Sequence, residues 1–274
     1  MSIVIILLVV FIATTLWGNL TIGTSYYEIN KKTLPTEFDS YKIAQISDLH
    51  NFEFGKDNSK IIKILYEENP NIIVITGDLI DCHRTNLDIA IKLVEEMVKI
   101  APCYFVTGNH EAWIGDQYKT LENKLKSLGV TVLHDDMIAI NQGNESIFLI
   151  GLDDPDFSDW HTNLPSSRLY TRLRKMDLRD GFKVLLSHRP EAFDAYVEHR
   201  IDLVLSGHAH GGQFRLPFIG GLIAPNQGLF PKYDSGEYNK DKTTMIVSRG
   251  LGNSIIPIRI NNRPEVVIVQ LFSR

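Results

Sequence analysis

An α/β domain built on a parallel sheet is what this sequence predicts, and three observations carry it. Apolar, β-rich runs alternate with amphipathic stretches between residues 41 and 128, the rhythm of strand–helix–strand units. Three of those runs end in polar residues able to bind metal: Asp48-Leu49-His50, Gly77-Asp78 and Gly108-Asn109-His110-Glu111. A later run leads into Ser206-Gly207-His208-Ala209-His210-Gly211-Gly212-Gln213, two histidines one residue apart beside glycines that permit a tight turn. Strand ends are where such sheets present ligand-binding groups.

Residues 1–27 carry no charged side chain, and 3–22 are mostly apolar. About twenty helical residues span about 30 Å, the thickness of a bilayer core, and Trp17, Tyr26 and Tyr27 suit an interfacial belt. There is no basic n-region and no small-x-small cleavage site. The expectation is therefore an uncleaved transmembrane helix over residues 1–24, making this a single-pass membrane protein whose orientation so few flanking charges do not set. A polar connection over 25–41, containing Pro35, would lead to one domain over 42–274.

Within that domain, strands are expected over residues 41–47, 71–76 and 103–107, and helices over 57–68, 86–100 and 117–128. The rhythm then changes. Close-spaced strands over 130–133, 137–140 and 147–151 read as an antiparallel meander, and Asp153-Asp154-Pro155-Asp156 reads as a turn. A helix over 166–177 precedes a strand over 182–186, which ends at Ser187-His188-Arg189-Pro190. A helix over 191–198 leads into the strand before His208, and strands over 243–248, 255–260 and 266–271 close the chain. There is no internal repeat.

With 274 residues, 44% hydrophobic and 22% charged, the chain suits a single large domain. A net charge of −5 argues against a nucleic-acid partner, which calls for a basic excess. Cys82 and Cys103 fall at opposite sheet edges, about 15–20 Å apart by strand rise. That is too far for a disulfide, so both are expected free. Arg168, Arg172, Lys175 and Arg179 recur at helical spacing, a basic stripe expected to face anionic headgroups or a substrate phosphate.

Asp48, His50, Asp78, Asn109, His188, His208 and His210 together supply seven nitrogen and oxygen donors. These suffice for two divalent ions if one carboxylate bridges them. Such donors without thiolate favour Mn, Fe or Zn and do not select among them. Two ions about 3.5–4 Å apart can hold a hydroxide nucleophile at neutral pH and clamp a phosphate during in-line attack. His83, His134, His161 and His199 fit no block and read as surface or loop residues.

The order and spacing of these blocks resemble the calcineurin-like metallophosphoesterases. The likeness covers residues 42–213 by motif and continues in general style through Ser248-Arg249-Gly250-Leu251-Gly252 and Pro264-Glu265. The resemblance implies a four-layer α/β/β/α sandwich with two mixed sheets, here preceded by the transmembrane helix. It implies that Asp48, His50 and His210 hold one ion, that Asn109, His188 and His208 hold the other, and that Asp78 bridges them. His110 would be catalytic, facing the substrate to stabilise charge or protonate the leaving oxygen. A membrane-attached form resembles enzymes related to UDP-2,3-diacylglucosamine hydrolase. Its substrate would then be a phosphorylated small molecule or a lipid-linked or envelope phosphate. Two other classes compete with this reading. An amidohydrolase opens with His-x-His and closes with Asp, the reverse of the order here. A non-catalytic metal or phosphate sensor would keep the ligands without turnover.

Overall fold

The computed structural model describes residues 2–157, 164–253 and 256–274. The expected loop histidine His161, and Ile255 at the head of an expected strand, lie outside the described residues. The chain opens with α1 (Ser2–Leu20) and β1 (Gly23–Asn30). Strand–helix alternation follows: β2 (Lys42–Ile46), α2 (Ser59–Glu68), β3 (Ile72–Thr76), α3 (Leu87–Met97), β4 (Cys103–Val106), α4 (Asn109–Trp113), α5 (Gln117–Ser127) and β5 (Thr131–Val132). Next come β6 (Asp136–Gln142), β7 (Glu145–Gly151), α6 (Pro165–Lys175), β8 (Lys183–Leu186), α7 (Phe193–Glu198) and β9 (Leu203–Ser206). Two small two-stranded ladders within residues 215–229 precede β10 (Gly236–Lys240), β11 (Thr243–Val247) and β12 (Glu265–Phe272).

The strands form two six-stranded mixed sheets, ordered β1-β12-β2-β3-β4-β5 and β10-β11-β9-β8-β7-β6. In the first, β2 to β5 are parallel and β12 runs against β2. In the second, β7, β8, β9 and β11 are parallel, flanked by antiparallel β6 and β10. Alternation along the strands sorts their side chains into three apolar layers. Ile43, Val74 and Val267 meet Leu149, Val184 and Leu205 between the sheets. Ile46, Ile73 and Phe105 face Ile61, Leu93 and Leu121 of the helices outside the first sheet. Leu185, Val204 and Met245 face Leu169, Leu173 and Tyr196 of α6 and α7 outside the second. The result is the expected four-layer α/β/β/α sandwich. Cys82 and Cys103 are both free.

The N-terminus differs from expectation. Among the described residues no helix is long and apolar enough to cross a membrane. That overturns the transmembrane helix over residues 1–24 and the single-pass membrane localisation drawn from it. The reason is where the apolar run ends. Asn19 in the last turn of α1 is tied to the domain, its Nδ2 donating to the Arg259 carbonyl at 2.8 Å and its Oδ1 accepting from the Arg259 N–H at 2.9 Å. The Arg263 guanidinium lies 4.7 Å from the centre of the Trp17 ring. Removing that docked turn leaves residues 2–16, about 22 Å of helix, short of the bilayer core of about 30 Å.

The presumed connection over 25–41 is corrected as well. Gly23–Asn30 is an edge strand pairing in parallel with the whole of β12, and the domain begins there. Of its eight residues only Ile29 is buried, so its sequence shows little apolar alternation. The expected meander divides between the sheets: β5 extends the first, and β6 with β7 forms a hairpin in the second. The expected strand over 255–260 reduces to one bridge between Phe214 and Ile260. The basic stripe is broken too. Arg168 donates to the Pro155 carbonyl at 3.0 Å and Arg172 to the Asp153 carbonyl at 2.6 Å. Both cations fasten α6 to the acidic loop instead of facing a partner.

Candidate metal centre

The loops after β2, β3 and β4 meet those after β8 and β9 at one end of the two sheets. Two glycines let them touch. A Cβ on Gly77 would fall 2.6 Å from the Gly108 nitrogen and 2.7 Å from His188 Nδ1, and Gly77 has φ +91°. A Cβ on Gly207 would fall 2.0 Å from Ser47 Oγ and 2.5 Å from Asp48 Oδ2. Asp48, His50, Asp78, His208 and His210 all adopt left-handed backbone conformations, with φ between 48° and 67°. Each such non-glycine residue costs about 1–3 kcal/mol, strain that the surrounding core has to overcome to aim these side chains inward.

All seven candidate ligands are buried, and six of them fall into two groups that share Asp78. Asp48, His50, Asp78 and His210 form one, and Asp78, His188 and His208 form the other. In the first, His50 Nε2 is 3.1 Å from His210 Nε2 and 3.5 Å from Asp78 Oδ2, and His210 Nε2 is 3.5 Å from Asp48 Oδ1. In the second, His188 Nε2 is 3.2 Å from both Asp78 Oδ2 and His208 Nδ1. Donors bound to one ion at about 2.1 Å sit about 3.0–3.4 Å apart, so these spacings fit divalent metal. Asn109 Oδ1 is buried with no hydrogen-bond donor among the described residues, an acceptor left for a cation.

Hydrogen bonds orient the rings. His188 Nδ1 donates to the Thr76 carbonyl at 2.7 Å, which turns Nε2 toward Asp78. His208 Nε2 lies 2.9 Å from Asn226 Oδ1, which leaves Nδ1 facing His188. Fixing the outer nitrogen in this way is how proteins set the ligating tautomer. Burial pushes His50 down to about 3 and holds His208 and His210 well below the usual imidazole range. Those rings are neutral, the form that binds metal. Burial also raises the Asp48 carboxyl to about 6. For Asp78 burial acts in the same direction, but the charge and hydrogen bond of His188 prevail and hold it well below the usual carboxylate range.

Several functional residues carry no legible signal. Glu111 stands in a recognised block, yet its role emerges only here. Its carboxylate accepts from the N–H groups of Asp78 at 2.8 Å, Leu79 at 2.9 Å and Gly108 at 2.7 Å, binding two ligand loops together. Asp154, expected in a plain turn, forms a buried bidentate pair with Arg189 at 2.6 and 2.8 Å. Arg189 in turn donates to Asn226 Oδ1 at 2.8 Å, behind His208. Arg259 lies 3.4 Å from His210 Nδ1 and donates to the carbonyls of Arg249 and Gly252. Glu111 lies 33 residues from Asp78, Asp154 35 from Arg189 and Arg259 49 from His210, so no local pattern pairs them. Of the remaining histidines, His134 is clamped between Asp153 and Glu122, and His83 is exposed, its ring 6.2 Å from that of His110.

A buried Asp/His cluster at the strand ends of such a sandwich defines a metallohydrolase with room for two divalent ions. The profile of the calcineurin-like phosphoesterases matches residues 41–212, and the chain belongs to that family. It is 31% identical to the uncharacterised metallophosphoesterase YkuE of Bacillus subtilis over 92% of this chain and 86% of that one. To phosphodiesterase YaeI of Escherichia coli it is 28% identical, over 84% and 82%. Among solved structures, TT1561 of Thermus thermophilus shares the fold, with a TM-score of 0.52 at 13% identity over 77% of this chain and 90% of that one. The protein is a metallophosphoesterase, a hydrolase of phosphoric ester bonds that uses two divalent metals.

Proposed function

We propose that the chain hydrolyses phosphodiesters, with Asp48, His50 and His210 holding one ion, Asn109, His188 and His208 the other, and Asp78 both. The observation that carries this reading is the position of Asp78 Oδ2, 3.5 Å from His50 Nε2 and 3.2 Å from His188 Nε2. The likeness to a named phosphodiesterase favours a diester. Two bound ions would supply positive charge for the phosphate oxygens and acidify a water. Of the ions that suit these donors, Mn is our choice for assay. Hydrolysis forms one P–O bond from water and breaks one P–O ester bond. One water proton leaves with the ester oxygen as an alcohol, and the other passes to solvent.

His110 stands beside the cluster, its ring 4.4 Å from that of His50. The Cys82 N–H donates to its Nδ1 at 3.0 Å, so the neutral ring carries its proton on Nε2. Burial lowers its pKa. Of the two expected roles, this arrangement favours a neutral Nε2–H donor that stabilises charge on the departing oxygen. In the test, His110→Ala keeps its metals and loses kcat by about 10²–10⁴-fold, less for a p-nitrophenolate leaving group. A fall in metal content like that of His208→Ala makes His110 a ligand instead. Turnover of bis-p-nitrophenyl phosphate with Mn excludes a pure sensor. A panel that includes UDP-2,3-diacylglucosamine separates a lipid-linked pyrophosphate from a simple diester.

A further inference from the structure

A cavity of about 380 Å³ opens onto the cluster, floored by Asp78, Asn109, His208 and His210. Its wall is apolar, made by Trp113, Ile223, Ala224, Pro225 and Ile256. Among its described lining residues there is no lysine or arginine. The polar lining residues Gln213 and Asn226 are uncharged amides, and one atom of each is engaged elsewhere. Gln213 Nε2 donates to the carbonyls of Ile256 and Ile258 at 2.9 and 2.6 Å, holding that part of the wall, and Asn226 Oδ1 accepts from Arg189. The two guanidiniums behind the histidines are buried and committed, Arg189 to Asp154 and Arg259 to backbone carbonyls. The apolar surface continues outward, because Leu229 sits directly across from Ile223 in its ladder and is exposed.

Positive charge is thus confined to the metal end. A second phosphate, as in a nucleotide or pyrophosphate, would leave water with no cation to meet it, and a desolvated unpaired anion is costly. An apolar substituent gains from leaving water, by about 25 cal/mol for each Å². From this we infer the substrate class: a phosphodiester with one negative charge at the metal end and an alkyl or aryl substituent against the Trp113–Ile223–Pro225–Ile256 wall. The inference rests on the phosphodiesterase reading above.

The test uses the Mn-loaded full chain and alkyl p-nitrophenyl phosphates with methyl, butyl and octyl groups. The expected result is a rise in kcat/KM of about fourfold for each methylene until the wall is covered, with Ile223→Ser flattening the slope. Calorimetry should show dibutyl phosphate binding more tightly than dimethyl phosphate, with a negative heat-capacity change. Turnover of the methyl ester with no dependence on chain length overturns the inference and spares the phosphodiesterase reading. A kcat/KM higher for a nucleotide p-nitrophenyl ester or a nucleotide-sugar pyrophosphate than for the octyl diester overturns it as well. No turnover of any diester overturns the phosphodiesterase reading itself, and the inference with it.

Discussion

Beneath the loops that follow β2, β3 and β4 the organising group is an acceptor, the Glu111 carboxyl, whose pKa burial raises to about 8. Behind those that follow β8 and β9 it is a pair of guanidiniums, Arg189 and Arg259. The first half contributes two carboxylates, an amide and one histidine, His50, on bent backbone, and the buried Glu111 carboxyl gathers three of its N–H groups. The second contributes histidines, and its cations hold carbonyls and the Asn226 amide that aims the His208 ring. Each device answers a different need. Backbone donors at sharp turns require an acceptor, and neutral imidazoles require a fixed outer nitrogen. The two supports fail differently when removed, and that difference can be measured.

The largest effect is expected where the halves meet. Asp78→Asn, the shared ligand in our reading, should lower bound metal and activity together, by well over the roughly 100-fold typical of an outlying partner. Two ions per chain with near-native turnover would remove the bridging assignment.

On the cationic side, Asp154→Ala removes the bidentate partner of the buried Arg189 and leaves it only Asp156 at 3.2 Å and Glu191 at 3.8 Å. Unfolding in urea should show a loss of about 3–5 kcal/mol. The double variant Asp154→Leu with Arg189→Met should recover only part of it, because packed apolar groups replace the pair while Asp156 and Glu191 lose their cation. A double variant as unstable as the single one would mean that the pair does more than neutralise itself.

On the acceptor side, Glu111→Gln keeps the shape but sets an amide –NH₂ against backbone N–H groups. Metal affinity should fall about 10–100-fold in titrations against a chelator. Unchanged affinity would show that the loops are held by their own conformations.

The smallest effect is expected from His134, outside both supports. Hydrogen bonds to Asp153 and Glu122 and their charges raise its pKa to about 9 against the opposing effect of burial. The folded value exceeds the unfolded value of about 6.5. The stabilisation is therefore complete below about pH 6.5 and is lost as pH rises through about 9. For a ring about one-third exposed it amounts to about 1–2 kcal/mol. Melting temperatures from pH 6 to 9.5 should fall less steeply for His134→Gln than for the parent protein.

All seven proposed ligands stand two to four residues beyond the end of an apolar strand, which is why the sequence offers them as candidates. A strand end is a local event, and the ligand types declare themselves by chemistry. The parallel core β2-β3-β4 and its helices were legible for the same reason, through the switch between periods of 2 and 3.6. Residues whose partners are remote in sequence were not. Asp154 reads as a turn until Arg189, 35 residues away, is folded onto it, and Glu111 reads as one more polar residue of its strand-end block until three amides close around it. Gly23–Asn30 reads as a connection because an edge strand needs only backbone pairing with β12, contributed by the other end of the chain. The apolar N-terminal run reads as a membrane span by composition, yet Asn19 and Trp17 spend its last turn on Arg259 and Arg263. Sequence by itself determined which groups could do chemistry and in what order they come. Tertiary structure alone decided what holds them, because those supports are long-range hydrogen bonds and charge pairs that leave no periodic trace along the chain.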